Sequence, residues 1–87
     1  MWTIRRIQTE FGYNEETAIQ VMIRALVNWG QNGAPKTFDN FLIDDLSLII
    51  FQDGESLSYS QKKSLDNICR AYQVDIEKWV IDKLDIE

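Results

Sequence analysis

The sequence contains no histidine, one cysteine and one proline, and only nine basic residues against 14 acidic ones in 87 positions. Each shortage removes a class of function. Without His there is no imidazole general base, no Ser-His or Cys-His nucleophile pair and no imidazole metal ligand. Cys69 alone can form neither an internal disulfide nor a structural zinc site. Long apolar runs are also missing, since none approaches the roughly 18 residues that cross a bilayer. Met1-Trp2-Thr3-Ile4-Arg5-Arg6 has no apolar stretch behind its charges to act as a secretory signal. These absences point to the reducing cytosol and to a chain that is not an enzyme and holds no cofactor or metal. The formal net charge of −5 opposes attraction to phosphate backbones and anionic lipid. It favours partners with a basic surface.

The 45% of hydrophobic residues is enough for one core, so residues 1–87 read as a single domain. No repeat or low-complexity segment interrupts it. Apolar periodicity predicts an all-α bundle of four to five short helices at about 3–11, 15–29, 38–52, 59–72 and 76–85. Thr3 caps the first, whose face is Ile4, Ile7 and Phe11, and Gly12 stops it. Asn14 caps the second, Glu15 and Glu16 suit the positive end of its dipole, and Gly30 suits its last turn. Only Glu16, Gln20, Arg24 and Asn28 leave that helix a polar strip, so it should be central.

Residues 30–36 read as a loop, and Thr37 as the cap of the third helix, with Phe38, Phe41, Leu42, Leu46, Ile49 and Ile50 apolar. A short β-hairpin around 47–59 is the rival, because Asp53-Gly54 is a hairpin signal. The helix is preferred: an isolated ribbon is marginal, and the window from residue 38 keeps one apolar face. Ser58 and Gln61 fit a capping box for the fourth helix. Asp75 caps the fifth, Val74 and Trp79 form a hydrophobic staple, and Ile76, Trp79, Val80 and Leu84 make its buried face.

Several motifs look chemical and have plainer explanations. Lys36-Thr37 matches the end of a phosphate-binding loop, but Pro35 stands where that loop needs a glycine donor, and a helix precedes it. Gly30-x-x-Gly33 resembles the backbone clamp of KH modules, which need flanking strands and a positive groove. The pairs Asp44-Asp45 and Glu15-Glu16 diverge by about 100° on a helix, so neither converges on a metal or a proton. Cys69 lies on an apolar stripe and reads as a small core residue.

Residues 65–84 resemble a helix-turn-helix unit, with Cys69 as the small residue, a turn at Gln73-Val74 and a cap at Asp75. Gln73 stands in place of the turn glycine, and Asp82 in place of an apolar residue. The second helix would carry Asp75, Glu77, Asp82, Asp85 and Glu87 toward DNA, so nucleic acid is a disfavoured partner. Under that alternative Lys62, Lys63, Arg70 and Lys78 would touch phosphate.

The preferred function is a protein–protein interaction module: an adaptor, accessory subunit or inhibitor. Residues 37–57 hold five acids, Asp39, Asp44, Asp45, Asp53 and Glu55, and no base. Their −5 equals the charge of the whole chain. Phe38, Phe41, Asp44, Asp45, Asp53 and Glu55 form the expected partner surface, by aromatic anchors with a charged rim. Trp2 joins them as an aromatic that a terminal position leaves uncovered. The partner is another protein with a basic surface, and a homodimer is a further arrangement the aromatics would suit.

Overall fold

A computed structural model describes residues 1–80. The elements run α1 (Ile4–Phe11), α2 (Glu15–Asn32), α3 (Phe41–Ser47), a π-helical turn (Leu48–Gln52), α4 (Tyr59–Tyr72) and α5 (Ile76–Trp79). No strand occurs among the described residues, so the hairpin around 47–59 does not form. No helix among them is long and apolar enough to cross a membrane.

The helix ends follow local chemistry. Thr3 Oγ1 accepts the Arg6 N–H at 3.0 Å, and Asn14 Oδ1 accepts that of Thr17 at 2.8 Å. Gly12 takes φ 75°, which closes α1. Ser58 and Gln61 form the reciprocal box, at 3.2 Å and 2.8 Å. Gln73 ends α4 at φ 51° and ψ 47°, adopting the left-handed turn that a glycine would adopt more cheaply.

Helix α2 is the axle, and it packs on α1, α3, α4 and α5. Ala18, Val21, Met22, Ala25, Leu26 and Trp29 are buried, and so are Ile19 and Ile23. Its polar strip also works: Asn28 Nδ2 donates to the Trp79 carbonyl at 3.0 Å, tying α5 to α2.

Four expectations are corrected. Gly30 does not end α2, which continues to Asn32 with Gly33 as its cap. A side chain at residue 30 would collide with Asn40, whose amide donates to the Gly30 carbonyl at 3.4 Å. Glycine there gives room for the next helix to approach. Thr37 is not a cap and α3 begins at Phe41, because the Phe38 N–H turns back onto the Pro35 carbonyl at 2.9 Å. The intended long third helix is therefore α3 plus a π turn, closed by the Asp53 N–H to the Leu48 carbonyl at 2.9 Å. The fifth helix ends at Trp79, with Val80 extended at ψ 115°; its expected continuation to 85, with Asp82 and Leu84, lies outside the described residues.

The fourth correction concerns Trp2, which is 6% exposed. The Arg6 guanidinium stacks 3.8 Å from its ring centroid, and the Phe11 ring lies at 5.7 Å. Asp66 on α4 accepts the Ile4 N–H at 2.8 Å and fixes this end of the chain against the bundle. Trp2 is therefore core and not part of an exposed surface.

Candidate functional site

The α3 segment has an inward and an outward side. Ile43 and Leu46 point into the core and are buried. At about 100° per residue the opposite side carries Phe41, Asp44, Asp45 and Leu48. Phe41 is 74% exposed and Leu48 51% exposed. Seven residues separate them, so they stand about 10 Å apart along one face with the two carboxylates between and beside them. Asp53 and Glu55 continue the acidic run beyond the π turn and are exposed as well. Phe51 closes the face, its ring lying 4.5 Å under the Arg24 guanidinium of α2.

Of the residues expected at the partner surface, Phe41, Asp44, Asp45, Asp53 and Glu55 are thus presented to solvent by one segment. Phe38 is half-buried instead. It packs on Trp29 at 4.7 Å and on Tyr72 at 5.0 Å, in a three-ring cluster between α2 and α4. Leu48 carries no charge or ring to single it out, and sequence reasoning missed it. Its signal was the seven-residue spacing from Phe41.

The cations of the alternative reading are partly committed. Lys62 Nζ donates to Glu15 Oε1 at 3.0 Å, and Arg70 donates to Asn67 Oδ1 at 3.0 Å. The Lys78 ammonium lies 5.1 Å from the Trp79 ring centroid, and Lys63 is exposed. Helix α5 is one turn long among the described residues, with Asp75 as its cap and Glu77 in that turn.

Cys69 is buried on the inner face of α4. Burial, with a smaller contribution from the Asp66 carboxylate, pushes its thiol from 9.0 up to about 12. The neutral thiol is the form the fold prefers. Its stabilising contribution is full below pH 9 and is lost as the pH rises toward about 12. Wild-type melting temperature should therefore fall more steeply over that range than that of Cys69→Ala; parallel slopes would contradict this burial. No group of three or more Cys, Asp or Glu among the described residues could hold a metal ion.

A shallow cleft of about 300 Å³ lies beside the π turn, between it and the first turns of α2. Its floor is Ile19, Ile50 and Leu57, and its rim is Glu15, Glu16 and Glu55. No family model, curated protein or solved structure matches this chain.

Proposed function

We propose that this protein is a non-catalytic protein-binding module that seats a basic partner on the outward face of α3 and the π turn. The observation that carries the reading is Phe41, 74% exposed on a helix whose outward neighbours are acidic. Leaving such a ring in water forgoes about 1.5–3 kcal/mol that a partner's pocket would recover. Phe41 and Leu48 are the apolar anchors, and Asp44, Asp45, Asp53 and Glu55 supply the charged rim. A second copy docking through the same face would set Asp44 and Asp45 against their own equivalents, so the charge favours a cationic partner of different sequence. The non-catalytic part of the reading is supported by the lack of His and by the buried, high-pKa Cys69. A nucleic-acid role for α4 and α5 has less support, since Lys62 and Arg70 are engaged within the fold.

The test is capture of partners from the native host, comparing wild type with Asp44→Lys/Asp45→Lys and with Phe41→Ser. All substituted residues are exposed, so circular dichroism should be unchanged. Both variants should recover at least tenfold less of the partners that the wild type enriches. Equal recovery by all three proteins would overturn the reading.

A further inference from the structure

We infer that the cleft beside the π turn is a socket for an arginine or lysine side chain of the partner. The inference rests on the protein-binding reading and gives the partner's chemistry at one point. A cationic side chain is amphipathic, with an aliphatic stem and a charged head. The cleft has matching parts. Ile19 and Leu57 are buried and Ile50 is half-buried, which gives an apolar floor. Glu16 and Glu55 stand at its rim, both exposed, and neither carboxylate forms an ion pair among the described residues.

Lys62 also lines the cleft, and its ammonium takes up one of the three rim carboxylates. Lys62 reaches from α4 to Glu15 at 3.0 Å, at one end of the cleft. That leaves two carboxylates for an incoming head group. The α2 N-terminus contributes about half a positive charge, which Glu16 and Glu55 together outweigh. The volume of about 300 Å³ is at the small end of ligand sites and suits one side chain better than a larger molecule. The cleft also adjoins the Phe41–Leu48 face through the π turn, so one partner could fill both.

The probe is N-acetyl-arginine methylamide, titrated into the whole protein and followed by amide chemical shifts. Saturable shifts are expected at Ile19, Gly54, Glu55, Ser56 and Leu57. The norleucine analogue, which keeps the stem and lacks the charge, and guanidinium chloride, which keeps the charge and lacks the stem, should each bind at least fivefold more weakly. Glu16→Gln/Glu55→Gln should weaken arginine binding at least fivefold, while Asp44→Lys/Asp45→Lys leaves the same residues shifting. Equal binding of either analogue, an unaffected Glu16→Gln/Glu55→Gln protein, or shifts centred on Asp44 and Asp45 would each overturn the socket. Partner capture that depends on Asp44 and Asp45 without arginine binding would remove the socket and leave the proposed function standing.

Discussion

Trp2→Ala should cost about 3 kcal/mol and lower the melting temperature by more than 10 °C. The indole is 6% exposed between Arg6 and Phe11, so truncation leaves a void beside those two side chains. A surface aromatic near a chain end would cost no more than about 0.5 kcal/mol. The two descriptions of Trp2 therefore differ by several-fold in a single thermal scan. A loss below about 1 kcal/mol would show that the N-terminal segment is not held as described. Asp66→Ala should reproduce part of the same loss, because it frees the Ile4 N–H that it now accepts at 2.8 Å.

Leu46→Ala should cost about 3 kcal/mol, and Leu48→Ala less than about 0.5 kcal/mol. Leu46 is 1% exposed and Leu48 51%. They are two residues apart, so on a helix they point in opposed directions, whereas on a strand they would share a face. Denaturant midpoints for the two variants thus test the conformation of this segment directly. Similar losses at both positions would favour the extended form. A small domain has few kilocalories to spare, so Leu46→Ala should also release the Phe41 face and abolish partner capture that Leu48→Ala only weakens.

What could be read from the sequence was local. Thr3, Asn14, Ser58 with Gln61, and Gly12 each act on atoms within four residues, so their side-chain chemistry announces the helix ends. The stripe on α2 was equally plain, because a helix surrounded by others must be apolar almost all round. The acidic block was legible by counting, and Phe41 by lying inside it. Several of the failures involve partners beyond the reach of local periodicity. Gly30 reads as a breaker, yet it serves as clearance for Asn40. Trp2 is buried because the segment it belongs to is fixed by Asp66 of α4. Phe38 is half-buried because it packs on Trp29 and Tyr72, a choice periodicity cannot register. The cleft is assembled from α2, the π turn with the segment after it, and α4, and no one of those stretches carries a recognisable pattern.

The bond from Ile4 to Asp66 has a consequence for the order in which the protein is made. Its two ends are 62 residues apart. At about 5–20 residues per second, synthesis must continue for several seconds after Ile4 is added before its acceptor exists. Through that interval Trp2 and Ile4 have no α4 to lie against, and the first helix cannot be sealed. The growing chain therefore has α1 packed on α2 but lacks the contribution of α4 to that packing until its fourth helix is translated.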